Sequence, residues 1–217
     1  MTFPNAAKGV KRIYTAMLLS LIAGAGSVIV ALIALFTIAF ANADDNTAAA
    51  AAGGGMLAIL ALGIAVLSIV VYILTLTGVY TAAKDDGSFK AALYVILIGL
   101  IISFVGMLLK DISLIYFLTQ LAVEIANLLS AVYIINGIRN ISRKLNNNEM
   151  SFAGGNVLKL IVVLYALSAV SSVLGSVFYG KDGTVLSSVF TMIAAALHIV
   201  KDIFLLLYLK RANQMLN

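Results

Sequence analysis

One strongly apolar stretch near the C-terminus contains the residues of this sequence that are best suited to chemistry. The stretch AAALHIVKDIFLLLYLKR holds the only histidine of the chain, His198, followed by Lys201 and Asp202. All three share a face if the stretch is helical, because residues three and four positions apart are neighbours on a helix. An ionised side chain facing lipid is disfavoured by about 2.5–3.5 kcal/mol. We therefore expect this face to point into a helix bundle or towards water.

A second apolar stretch carries a similar polar face. Gln120, Glu124 and Asn127 lie at positions i, i+4 and i+7 of LTQLAVEIANLLS, so a helix would present them on one side. Glu124 is too short to reach the membrane surface from this position. We expect its partner to be Asn127 or His198.

Helix alignment predicts that polar residues from three helices lie at one depth. Ser68, Asn127 and His198 occupy the same position when the second, fourth and sixth predicted helices are aligned at their cytoplasmic ends. That position is about 15 Å from the end, near the bilayer centre. The candidate residues for binding or transport are Ser68, Gln120, Glu124, Asn127, His198, Lys201 and Asp202.

The polar faces support two interpretations. In the functional one, Glu124, His198 and Asp202 line a cavity and handle a proton or a cation, as intramembrane ionisable residues often do. In the structural one, Asp202 pairs with Lys201 or His198, and a protonated Glu124 bonds to Asn127. The sequence does not decide between the two interpretations.

Several other kinds of site are disfavoured by composition. The chain has no cysteine and one histidine, which excludes disulfides, thiolate metal sites and histidine-rich metal centres. No catalytic or nucleotide-binding motif is present, and no serine or cysteine nucleophile lies beside the His–Asp pair. We therefore predict no catalytic residue, no metal, no cofactor and no nucleic-acid partner.

Hydropathy predicts an all-α integral membrane protein. The sequence is 63% hydrophobic and 11% charged, whereas soluble domains have about 25% charged residues. Six apolar segments reach the length of about 20 residues that a bilayer core requires. They lie near 13–41, 56–82, 89–109, 112–138, 157–178 and 184–209.

Basic residues predict the orientation of these segments. Most of the 14 lysines and arginines fall at the N-terminus, at the C-terminus and in two polar loops, about 83–88 and 139–156. The positive-inside rule places both termini and both loops in the cytoplasm. Small size and compact loops favour the plasma membrane of a prokaryote. We expect Ser88 and Ser151 to cap the helices that follow the two loops.

An internal repeat is predicted within a single transmembrane domain, 1–217. The first, third and fifth helices align from Lys11, Lys90 and Lys159, which gives three helical hairpins at about 13–82, 89–138 and 157–209. Small residues coincide three times in this alignment, on a face that allows helix backbones to approach closely. They are Ser20, Gly24, Ser27, Gly99, Ser103, Gly106, Ser168, Ser172 and Gly175.

The leading functional hypothesis is a polytopic membrane protein that binds or transports a small solute or ion through the polar layer. The alternative is a non-catalytic interaction or assembly protein that contacts a membrane partner or a second copy of itself. A third hypothesis is an intramembrane enzyme acting on lipid. A cavity reaching Glu124 and His198 favours the first, and a packed centre with outward-facing small residues favours the second.

Overall fold

The computed structural model describes residues 2–44, 47–109, 113–178 and 184–216. Within these ranges the chain forms six α-helices and no β-strand. Every helix includes a segment that is long and apolar enough to cross a membrane. The prediction of an all-α, multi-pass membrane protein is therefore confirmed. The helices are α1 (Pro4–Asp44), α2 (Thr47–Ala82), α3 (Gly87–Leu108), α4 (Ser113–Lys144), α5 (Asn148–Phe178) and α6 (Thr184–Leu216).

Most of the segment 139–156, which we predicted as a loop, is helical. Helix α4 continues to Lys144 and α5 begins at Asn148. Asn146 has a left-handed backbone with φ of 55°, and the N–H of Asn147 donates to the carbonyl of Ser142 at 2.8 Å. This is the hydrogen bond of a Schellman motif, which ends a helix sharply. Hydropathy marked where the apolar residues stop, whereas the backbone hydrogen bonds continue beyond that point.

The prediction that Ser88 and Ser151 are N-caps is wrong. Asp86 caps α3 by accepting a hydrogen bond from the Ser88 N–H at 2.9 Å. At the start of α5, the side-chain oxygen of Asn147 accepts from the N–H of Met150 at 3.0 Å. Both helices begin earlier than hydropathy indicated, so the capping position falls on an earlier acid or amide. Aspartate and asparagine are as good N-caps as serine.

The chain divides into two compact units, and the smaller one is Thr15–Thr75. In this unit Gly26 of α1 faces the side chain of Ile64 in α2. The hydroxyl of Ser68 donates to the carbonyl of Ile64 at 2.9 Å, and that of Ser27 donates to Ala23 at 2.9 Å. These two hydroxyls therefore satisfy their hydrogen bonds within their own helices. Gly24 faces open space, with no atom near its Cβ position.

The larger unit comprises Met1–Tyr14 and Leu76–Asn217. In it α3 packs along α4, α4 along α5, and α5 along α6. The backbones of α1 and α2 meet at Gly9 and Gly78, where a Cβ on Gly9 would lie 2.5 Å from the Gly78 carbonyl oxygen. Only glycine permits this approach. The largest fully buried side chains among the described residues are Phe89, Ile135, Ile138, Ile141, Ile161 and Leu209.

The small residues of α3 and α5 differ in exposure along each helix. Gly99 and Gly106 are buried against α4, facing Ala126 and Thr119. In α5, Ser168 and Gly175 are buried against α6, and Ser187 donates to the Gly175 carbonyl at 2.8 Å. The positions between these pairs, Ser103 and Ser172, are exposed. Along a helix, a step of four residues points a side chain further from the starting direction than a step of seven does. Ser20 is half-buried, and the exposed members are Gly24, Ser27, Ser103 and Ser172.

The turn between α2 and α3, here called the Asp85–Asp86 turn, ties helix ends together. Asp85 reaches the start of α1, where its two oxygens accept from the side-chain amide of Asn5 at 2.9 Å and from the N–H of Ala6 at 2.7 Å. A carboxylate at a helix N-terminus satisfies free N–H groups and interacts favourably with the helix dipole.

Asp86 makes the corresponding connection to α3 and α4. Besides capping α3, its Oδ1 accepts from the amide of Asn140 at 3.4 Å. Its Oδ2 pairs with the ammonium group of Lys144 at 3.3 Å. Asn140 also donates to the hydroxyl of Ser88 at 3.1 Å. Two consecutive acids thus bind the ends of three helices. The sequence identified this segment only as a basic loop.

Candidate functional site

Lys201 is the centre of a polar cluster in the larger unit. Its side chain is buried, with 9% of the residue exposed. The ammonium nitrogen lies 3.2 Å from Nδ1 of His198, 3.4 Å from Oδ1 of Asp202 and 4.1 Å from the centre of the Tyr165 ring. A cation above an aromatic face is attracted by the ring electrons. Lys201 therefore has three partners, two on α6 and one on α5.

The contact with Lys201 indicates the tautomer of His198. A lysine ammonium group can only donate hydrogen bonds, so Nδ1 of His198 must accept and carries no proton. The imidazole is therefore neutral, with its proton on Nε2. That nitrogen lies 2.7 Å from the hydroxyl oxygen of Ser168 on α5, to which it donates. The expectation that no serine lies beside the histidine is therefore wrong, although a ring nitrogen that donates to a hydroxyl does not act as its base. The Tyr165 ring packs against the imidazole edge-on, with centroids 6.1 Å apart.

Glu124 on α4 completes the cluster but is only loosely attached to it. Its Oε1 lies 3.8 Å from Nε2 of His198, beyond hydrogen-bonding distance. Because His198 is neutral, this contact is not an ion pair. The positive charge of Lys201 balances the negative charge of Asp202. Among the residues that the structure describes, no lysine or arginine pairs with Glu124.

A groove of about 260 Å³ between α4 and α5 is lined in part by Glu124. The side chain of Glu124 is 42% exposed, and the groove extends from it along α4 towards Phe117, a distance of about 10 Å. Most of the groove wall is apolar, and three polar side chains contribute to it. The lining residues are Phe117, Gln120, Leu121, Glu124, Ala169, Ser172 and Val173. Apolar walls with a few polar groups are typical of small-molecule sites.

The structure brings together four of the predicted site residues. Glu124, His198, Lys201 and Asp202 form the polar cluster, and Gln120 lines the groove next to Glu124.

Two predicted residues lie apart from these contacts. Asn127 is exposed on α4, and its backbone carbonyl accepts from the hydroxyl of Ser130 at 2.8 Å. Ser68 belongs to the smaller unit and bonds within its own helix. Of the two partners predicted for Glu124, His198 lies 3.8 Å from its carboxylate, and no contact with Asn127 is found among the described residues.

The sequence analysis missed the contribution of α5. Tyr165, Ser168 and Ser172 lie at positions i, i+3 and i+7, so they share a face that contacts the cluster and the groove. Ser168 and Ser172 had been interpreted only as packing residues. The search for polar faces that identified Gln120 and Glu124 in α4 would have found this face as well, if applied to α5.

The part of the chain that the structure describes contains no group of three or more acidic or histidine side chains arranged to hold a metal ion. No protein-family model, no curated protein and no solved structure matches this chain.

Proposed function

We propose that this protein binds a small solute or ion in the groove between α4 and α5 and transports it across the membrane. The observation that supports this proposal is the position of Glu124. Its carboxylate lines an open, mainly apolar groove and pairs with no lysine or arginine among the described residues. Such a group is costly to keep in a membrane and contributes little to helix packing. A solute-binding role accounts for it.

The remaining polar residues have supporting roles in this proposal. Gln120 and Ser172 line the groove with Glu124 and offer hydrogen bonds to the solute. Asp202 pairs with Lys201, and Lys201 contacts His198, whose Nε2 end faces Glu124. Ser68 and Asn127 stay predictions as lining residues elsewhere along the path.

We also propose the topology that the sequence predicts, with three hairpins and both termini in the cytoplasm of a prokaryotic cell. In its support, the N-terminal part of α1 contacts the Asp85–Asp86 turn, and Lys144 of α4 joins them there. The ends that carry the basic segments therefore gather at one end of the larger unit. A cysteine replacing Glu149 is expected to react with impermeant thiol reagents only from the cytoplasmic side.

Water access to the groove tests the binding proposal, because the chain contains no natural cysteine. Single cysteines are placed at Gln120 and Ser172, which line the groove, and at Ala92 and Ile161, which are fully buried. Thiols react as thiolates, so only positions that water reaches are labelled by a charged reagent. We expect labelling at the groove positions and none at the buried controls. A folded protein that is unlabelled at both groove positions would contradict a solute path.

A second candidate function is assembly with another membrane protein or with a second copy of this chain. It is favoured by the exposed small residues of α1, since Gly24 faces open space and Ser27 is exposed. Such a face allows a helix to approach closely in lipid. Replacing Gly24 with Leu is then expected to shift the purified protein to a smaller oligomer. An unchanged oligomeric state would remove this candidate.

A further inference from the structure

We infer that the occupant of the groove is a compact amphipathic cation, a protonated or quaternary amine with an apolar body, which enters sideways from the bilayer. This inference rests on the proposed function and names the class of solute. Three features of the described residues lead to it: the charge of the cluster, the composition of the groove wall and the exposure of that wall.

The charge of the cluster calls for a cation beside Glu124. Lys201 is already paired with Asp202 at 3.4 Å. His198 cannot become an imidazolium while Lys201 donates to its Nδ1, because that nitrogen would then need a proton of its own. A carboxylate in a mainly apolar groove is stabilised by a partner of opposite charge. An amine bound in the groove supplies it.

The groove wall favours an apolar body on that cation. Phe117, Leu121, Ala169 and Val173 provide four of the seven lining residues, and only Gln120 and Ser172 accompany Glu124 as polar groups. The phenyl ring of Phe117 can also contact a cation favourably. A volume of about 260 Å³ lies just below the range of about 300–1,000 Å³ that drug-sized ligands occupy. The ligand is therefore small, with one or two rings.

The exposure of the wall indicates entry from the side. Phe117 is 39% exposed, and Leu121 and Val173 are each 37% exposed, although all three lie in or next to apolar segments long enough to span a bilayer. We expect the groove to open laterally, so that its apolar rim meets lipid chains while water reaches its polar residues Gln120, Glu124 and Ser172. A solute that first partitions into the bilayer can reach it. Anions are excluded by the carboxylate.

A pair of fluorescent probes of equal shape tests this inference. One is the cationic dye dimethylaminostyryl-methylpyridinium, and the other is dimethylamino-methylstilbene, its neutral carbon analogue. The full chain is studied in nanodiscs of zwitterionic lipid, and saturable binding of each probe is measured by fluorescence titration. Protein with Ser172 replaced by Trp, which fills the groove, provides the correction for partition into lipid. We expect the wild-type protein to bind the cation at least about tenfold more tightly than the neutral probe.

Two substitutions assign the preference to Glu124. Glu124→Gln is expected to reduce the affinity for the cation to that for the stilbene and to leave stilbene binding unchanged. The matched control is Glu149→Gln, which removes the same charge from an exposed site at the start of α5 and is expected to change neither affinity. Ser172→Lys introduces a positive charge at an exposed groove residue and is expected to abolish binding of the cation while the stilbene still binds.

The outcomes distinguish this inference from the proposed function. Equal affinities for the two probes, both lost in Ser172→Trp, would overturn the cation preference and leave a solute-binding groove. A cation affinity that Glu124→Gln and Ser172→Lys both leave unchanged would also overturn it. The absence of saturable binding of either probe to the wild-type protein would overturn the inference and the proposed function together.

Discussion

The Asp85–Asp86 turn and the groove at Glu124 use acidic residues in opposite ways. At the turn, each of the four carboxylate oxygens accepts at least one hydrogen bond from a helix end or a neighbouring side chain. At the groove, the carboxylate of Glu124 lies 3.8 Å from a neutral imidazole, beyond hydrogen-bonding distance. The acids of the turn are explained by the helices that they join. Glu124 is not explained in this way, and this difference is the reason why we propose it as the functional acid.

Lys201 shares one property with each of these two regions. It belongs to the same cluster as Glu124, yet it is as fully partnered as the acids of the turn. Its role is to hold His198 neutral and to compensate Asp202. We therefore expect its removal to affect stability, whereas removal of the Glu124 charge affects binding.

The largest expected effect is that of Lys201→Met. The substitution leaves the half-buried Asp202 carboxylate without its cation, which costs about 2–3 kcal/mol of unfolding free energy, less than for a fully buried charge. Denaturant or thermal unfolding of the purified protein in mild detergent measures the change. Lys159→Met, at an exposed position of α5, is the control and is expected to change stability by no more than about 0.5 kcal/mol.

A double replacement refines this prediction. Lys201→Met combined with Asp202→Leu removes both charges, and its stability is expected to return close to that of the wild-type protein. A Lys201→Met variant as stable as the wild type would mean that Asp202 does not depend on Lys201. The structural role that we assign to Lys201 and Asp202 would then be wrong.

A smaller loss of stability is expected for Asp86→Ala. The substitution removes the N-cap of α3, which contributes about 1–2 kcal/mol. The ion pair with Lys144 adds little, because the lysine side chain is 47% exposed. The same unfolding measurement detects the change, and binding of the cationic dye is expected to stay as in the wild type. A reduced dye affinity in a folded Asp86→Ala protein would remove the contrast between the two regions.

The smallest effect on stability is expected for Glu124→Gln. The carboxylate has no hydrogen bond or cation to lose among the described residues, so the unfolding free energy should change by no more than about 0.5 kcal/mol. The measurement is again unfolding in detergent, compared directly with Asp86→Ala. A destabilisation as large as that of Asp86→Ala would show that Glu124 is a structural residue.

Hydropathy predicted the six helices because spanning a bilayer imposes a long apolar run that is visible in the sequence. It placed the ends poorly, since Arg143 and Lys144 are polar yet continue α4. The depth of a residue can be counted along a helix, but the direction in which it points depends on which helices pack together. For this reason the sequence predicted that His198 lies close to Glu124, and the two side chains are 3.8 Å apart. The contacts of His198 with Ser168 and Tyr165 were not predicted.

The protonation state of His198 tests the central claim most directly, because Glu124 lacks a cation only if this imidazole is neutral. The chain contains one histidine, so nitrogen-15 labelling of histidine gives a single pair of ring signals in an NMR spectrum. We expect a neutral ring at neutral pH with the proton on Nε2, both in the wild-type protein and in Glu124→Gln. An imidazolium with protons on both nitrogens in the wild type would make Glu124–His198 an ion pair. That result would contradict the account of Glu124 as the acid that receives a solute.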